Sequence, residues 1–211
     1  KSGTNLLTRA VYLTGQYRRT FRRTLSSPPS SDGLAKLPNN TYSTSHIAHS
    51  TSFEAALKEH NIRNTLIVRN PLSVAVSNVH YILNPKSRHR LRYYFSNVLK
   101  TPEQRLAAVL DGIEKEKFNG SHDSLPLVDH YLGYTGWTGD DNCLIIKFED
   151  LVGQYGGGTR ETQEIIVSRL LQHLGINICR DYPFDILFSS DSRTFRSGSV
   201  FGASKREVEM F

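Results

Sequence analysis

Two cysteines in a chain of 211 residues are too few for a disulfide framework. Cys143 lies in the apolar run NCLIIKF and reads as a buried small hydrophobe; with only Cys179 beside it, a reducing compartment fits. No apolar run approaches the length of a membrane span. No Cys/His cluster has ligand spacing, so no metal site is expected. The G-x-x-x-x-G-K-[ST] phosphate loop is absent, which argues against a nucleoside triphosphatase. No RNA- or DNA-recognition motif occurs and the aromatics do not form RNP-like pairs, so nucleic acid is not an expected partner. An initial methionine is also missing. The first residue is Lys1, and the chain is expected to be a piece of a longer protein, so a lost leader or anchor stays open.

The composition is that of an ordinary soluble domain, 38% hydrophobic and 22% charged, and the length suits one domain, 1–211, with a sizeable core. The net charge of +6 favours an anionic partner. The charge is clumped: RRTFRR carries Arg18, Arg19, Arg22 and Arg23, and KSRHRLR carries Lys86, Arg88, Arg90 and Arg92. These clusters read either as solvated helix faces or as a surface that gathers anions.

Along the chain, the apolar spacing of Leu6, Leu7, Ala10, Val11 and Leu13 predicts a helix over 5–23. LSSPPSSDGLAKLPNN predicts a mobile loop over 26–40, YSTSHIAHS an extended strand end, and the residues after Ser52 a short helix, 53–60. NTLIVRNP reads as a buried strand stopped by Asn-Pro, and Pro71 opens the next helix, PLSVAVSNVHYIL. TPEQRLAAVLDGIEKEKF reads as one helix capped by Thr101, and LPLVDHYLGYTGW as helical. NCLIIKFED reads as a second buried strand, and RETQEIIVSRLLQHLG as a helix closed by Gly175. Apolar strands alternating with amphipathic helices predict an α/β fold: three layers, a mainly parallel central sheet and helices on both faces. Ligands of such sheets bind at the carboxyl ends of the strands.

Two stretches lie at helix starts. In KSGTN, Ser2 and Gly3 let the backbone come close to a ligand, Thr4 and Asn5 add side-chain donors, and Lys1 adds a full charge. The unpaired N–H groups and partial positive charge of a helix N-terminus make this a P-loop-like phosphate site at a strand-to-helix turn. In VRNPLSVAVS, Arg69 stands at a strand end and Ser77 two turns into the following helix, an arrangement suited to one phosphate.

Together these stretches resemble the sulfotransferases that use 3′-phosphoadenosine 5′-phosphosulfate (PAPS). The family's 5′-phosphosulfate loop, P-K-S-G-T, is similar to KSGTN with the proline and the preceding first strand cut away. Its 3′-phosphate segment, V-x-R-N-P-x-D-V-A-V-S, is similar to IVRNPLSVAVS. CLIIKFEDLVGQYGGGTRETQ resembles the strand, acidic turn and Gly-rich stretch of bacterial-type members, TFRSG resembles F-R-K-G, and YSTSHIAHS resembles the strand end with the catalytic histidine. The resemblance runs in order over nearly the whole chain.

It implies that Lys1, Ser2, Gly3, Thr4 and Asn5 hold the 5′-phosphosulfate and that Arg69 and Ser77 hold the 3′-phosphate, with Arg196, Ser197 and Gly198 closing over it. His46 takes the position of the general base, with His49 as the alternative three residues on; Phe148 replaces the tyrosine of Y-E-D-L at the cofactor. Leu6 replaces a tryptophan that stacks on adenine, Ser197 the lysine of F-R-K-G, and GASK an element that carries Trp, which puts cofactor affinity and closure of the tail in question. The implied reaction passes a sulfuryl group from PAPS to a hydroxyl or amine without a metal, with Lys1 countering charge on the departing phosphate. The acceptor is unread: a small molecule, or an acidic glycan if the Arg clusters flank one groove. Alternatives are a degenerate relative that binds the nucleotide without catalysis, and a basic polyanion-binding module. A cytoplasmic location is expected, or a lumenal one if an anchor preceded Lys1.

Overall fold

Apolar residues that alternate along a strand place successive side chains on opposite faces, so a strand flanked by helices carries two cores. The computed structural model of the chain, which describes residues 3–20, 24–154, 158–176 and 182–187, has this arrangement. The described residues form two compact units, one built from the chain up to Val68 and from Gly133 onward, the other from Arg69–Leu132.

In the first unit, β3 (Asn64–Val68) and β4 (Cys143–Lys147) pair in parallel, with Leu66 opposite Ile145 and Ile67 opposite Ile146. A shorter parallel pair joins β1 (Arg18–Arg19) to β2 (Thr41–Tyr42). One face of the β3–β4 pair carries Ile67, Leu144 and Ile146. They pack on Ala10 and Val11 of α1 (Thr4–Tyr12) and on Ile166, Val167, Leu170 and Leu171 of α9 (Arg160–His173). The other face carries Leu66 and Cys143, which pack with Leu34 of α2 (Ser31–Ala35), Leu57 of α3 (Thr51–Glu59) and Trp137. Helices on both faces of a parallel pair give the three layers and the α/β class that the sequence pattern predicts.

The second unit opens with α4 (Pro71–Leu83). Asn70 caps it by accepting the N–H groups of Leu72 and Ser73 at 3.0 and 3.3 Å, and Pro71 takes the first position, where its missing N–H costs nothing. α5 (Pro102–Asp111) begins with a reciprocal capping box between Thr101 and Gln104; its Leu106 packs with Val74 and Val76 of α4, and Leu127 joins the same cluster. α6 (Lys115–Phe118) and α7 (Leu127–Thr135) follow; α8 (Phe148–Leu151) comes directly after β4.

Three expectations change. The first helix ends at Tyr12 rather than running to residue 23: Gly15 turns the chain at φ 67°, and Arg18 and Arg19 pair with a strand more than twenty residues away. The segment 26–40 contains α2, capped by Ser30 and anchored by Leu34, which is 5% exposed. The helix expected through EKEKF stops at Gly112, whose backbone (φ 79°, ψ 178°) is not helical, so Ile113 pairs with Ser124 instead.

Candidate active site

Gly3 is the N-cap of α1, with φ 109° and ψ 17°, a region that residues with a Cβ seldom enter. Its carbonyl accepts the N–H groups of Leu6 and Leu7 at 2.9 and 3.1 Å, and so starts the helix. A Cβ at this position would lie 2.5 Å from the Phe148 ring and 3.0 Å from Ile67 Cδ1. Glycine is thus required twice, by conformation and by space. Ile67 is the penultimate residue of β3 and Phe148 follows the last residue of β4. The turn is therefore seated at the carboxyl ends of both parallel strands, and Phe148, 7% exposed and part of the core, forms its floor. Thr4 and Asn5 occupy the first turn of α1, which contains no acidic residue to oppose an anion.

Residues 182–187 return to this helix. Tyr182 donates to the carbonyl of Ala10 at 2.9 Å and Arg9 to that of Ile186 at 2.7 Å. Burial pushes the Tyr182 phenol upward against a smaller opposing effect of Arg9, so it remains a hydrogen-bond donor. The candidate residues Lys1, Ser2, Arg196, Ser197 and Gly198 lie outside the described residues.

His46 sits between β2 and α3, exposed, its N–H donating to the carbonyl of Leu25 at 2.8 Å beside the Leu25–Ser45 bridge. His49 is placed differently. Its Nε2–H donates to Glu54 Oε2 at 2.7 Å, its N–H to the carbonyl of Gly133 at 2.7 Å, and its ring stands edge-on to Trp137 with centroids 4.9 Å apart. A Cβ on Gly136 would be 2.1 Å from Nδ1, so the imidazole is boxed in. Glu54 also accepts from Lys58 at 2.6 Å, and the His49 hydrogen bond first, then that of Lys58, holds its carboxyl below the usual range. The long-range partners of His49 carried no local signal in the sequence; only the i,i+4 pair Glu54–Lys58 could have been read there.

In the second unit, Arg69 is the residue directly before the cap Asn70, and its carbonyl accepts from Tyr131 at 2.7 Å. Ser77 is half-buried on α4, and Ser73, one turn earlier, is 7% exposed. Arg90 is committed to its own chain: it donates to the carbonyls of His122 and Asp123 at 3.0 and 3.2 Å and lies over the Phe118 ring. Burial first, and the Asp140 charge second, push the Cys143 thiol up to about 11, which favours the protonated form. Among the described residues no group of three or more His, Cys, Asp and Glu side chains is placed to hold a metal ion, and no helix is long and apolar enough to cross a membrane.

A glycine turn that feeds a helix N-terminus at the carboxyl ends of parallel strands is an architecture α/β proteins use for phosphate groups. Within that class the chain belongs to the sulfotransferase domain family, whose model matches residues 1–185. No curated protein sequence matches it. Its fold is similar to the crystal structure of a mouse sulfotransferase, SULT7A1, complexed with PAP, at 21% sequence identity and a TM-score of 0.55. The match covers 90% of this chain and 61% of the mouse chain, so the present chain spans about three-fifths of that relative.

Proposed function

We propose that this chain transfers a sulfuryl group from PAPS to a hydroxyl or amine of an acceptor. The observation that carries the reading is the Gly3 turn, lodged on Ile67 and Phe148 at the strand ends of a chain from the sulfotransferase family. PAPS supplies the sulfuryl group and leaves as 3′-phosphoadenosine 5′-phosphate (PAP). Gly3, Thr4 and Asn5 present backbone N–H groups and side-chain donors to the 5′-phosphosulfate, and Lys1 and Ser2 complete that loop. Arg69 and Ser77 hold the 3′-phosphate, with Arg196, Ser197 and Gly198 over it, and Phe148 serves by shaping the turn beneath. His46 accepts the acceptor's proton; it stands exposed in the segment that resembles the family's histidine strand. Arg90 gives two of its N–H groups to backbone carbonyls, which holds that side chain against its own chain.

The test is transfer from ³⁵S-labelled PAPS to a panel of phenols, alcohols, amines and glycans. His46→Ala should lower turnover by about a hundredfold or more and leave PAP affinity unchanged. Loss in His49→Ala with none in His46→Ala would move the base by three residues; labelled PAPS left untouched across the panel would favour a binding protein without catalysis.

A further inference from the structure

The segment 45–50 is fixed at both ends, and the two fixings differ. Before His46 lies the short bridge to Leu25. After it, buried Ile47 and then Ala48 lead to His49, where a chain of charged groups begins. His49 donates to Glu54, Glu54 accepts from Lys58, and Lys58 Nζ reaches Asp140 Oδ1 at 3.0 Å. The Asp140 side chain is fully buried and accepts the N–H of Asn142 through the same oxygen at 3.0 Å, while Oδ2 has no partner. A buried carboxylate half satisfied in this way is costly. The chain ends at the turn that starts β4, since Cys143 donates to the Asp140 carbonyl at 2.9 Å.

We infer that His49, Glu54, Lys58 and Asp140 form a positioning relay that ties the His46-bearing segment to the start of β4. Gly136 belongs to it by omission, because any side chain there would drive the His49 ring out of its box. The inference rests on the reading of His46 as the base, and it adds a function for the second histidine: His49 holds the segment still while His46 meets the acceptor. Misplacing a reacting group by about 1 Å costs up to about a hundredfold in rate, so a relay of this kind belongs to the catalytic apparatus without touching substrate.

Two measurements separate this inference from the reading beneath it. The first needs no acceptor: imidazole carbon–proton NMR of histidine-labelled protein, with His46 and His49 assigned through their alanine variants. Glu54→Ala removes a charge and Gly136→Ala does not, yet both should shift the His46 signal as well as that of His49. A His46 signal that overlays the wild type in both variants overturns the relay. The second is transfer from ³⁵S-labelled PAPS to the best acceptor of the panel. Glu54→Ala should lower kcat by about tenfold with PAP affinity unchanged, and should cost nothing further in a His46→Ala background. An equal loss in both backgrounds means a merely structural role and also overturns it. Full turnover in His46→Ala alone instead removes the base assignment, and the catalytic part of the inference with it, while the NMR arm still decides whether the two histidines are mechanically coupled.

Discussion

Gly3 concentrates the demands of the site in one position. Its left-handed backbone costs a residue with a Cβ about 1–2 kcal/mol, and the added methyl would press on Phe148 at 2.5 Å. Gly3→Ala is therefore expected to lower stability and to weaken PAP binding. Adding Phe148→Leu should recover the part due to the clash and leave the part due to φ. Urea unfolding of Gly3→Ala, of Phe148→Leu and of the double variant checks this: full recovery in the double variant would show that the conformation at residue 3 matters little. Gly3 was legible in the sequence because K-S-G-T before an apolar helix has a physical reading of its own. The role of Phe148 beneath it was not, since contact between residues 3 and 148 depends on two strands ending side by side.

At the scale of elements, the same division holds. β3, β4, α4 and α9 carry their signals locally: a short apolar run, an Asn-Pro stop, a helical period, a closing Gly175 at φ 73°. The overextended first helix failed because Arg18 and Arg19 are committed by strand pairing at long range. The basic cluster after α4 carried only its charge, and both readings of it, solvated surface or a surface that gathers anions, stay open. Charge alone cannot tell a solvated arginine from Arg90, whose partners lie over thirty residues ahead. Arg90→Gln is expected to cost about 1 kcal/mol in urea unfolding and to leave the salt dependence of any acidic acceptor to Arg88 and Arg92. Unchanged stability in Arg90→Gln would return that arginine to the acceptor surface.

For the whole molecule, pH reports on the join between α9 and β3. His173 Nε2–H donates to the carbonyl of Asn64 at 2.8 Å, while Arg63 donates to the carbonyls of Gln172 and His173. Burial depresses the His173 imidazole below its ordinary 6.5 against the opposing hydrogen bond, and Arg63 adds to the depression. The folded state therefore favours the neutral ring. Below pH 6.5 the unfolded chain takes up the proton first, so this contribution to stability is complete above that value and is lost as pH falls through the folded pKa. The urea midpoint should fall from about pH 7 to about pH 5.5, and His173→Gln, which keeps a donor for Asn64, should reduce that slope. An identical slope in the variant would place the pH dependence elsewhere.

The proposed function requires the chain to read a nucleotide bearing both a 5′ and a 3′ phosphate group. Calorimetric titration with PAP, run beside adenosine 5′-monophosphate, tests it most directly. One site is expected, with PAP bound tighter by about 1.5–3 kcal/mol, the worth of hydrogen bonds to a charged group, and with the difference abolished in Arg69→Ala. Equal affinity for the two nucleotides, or no binding of PAP, would contradict it.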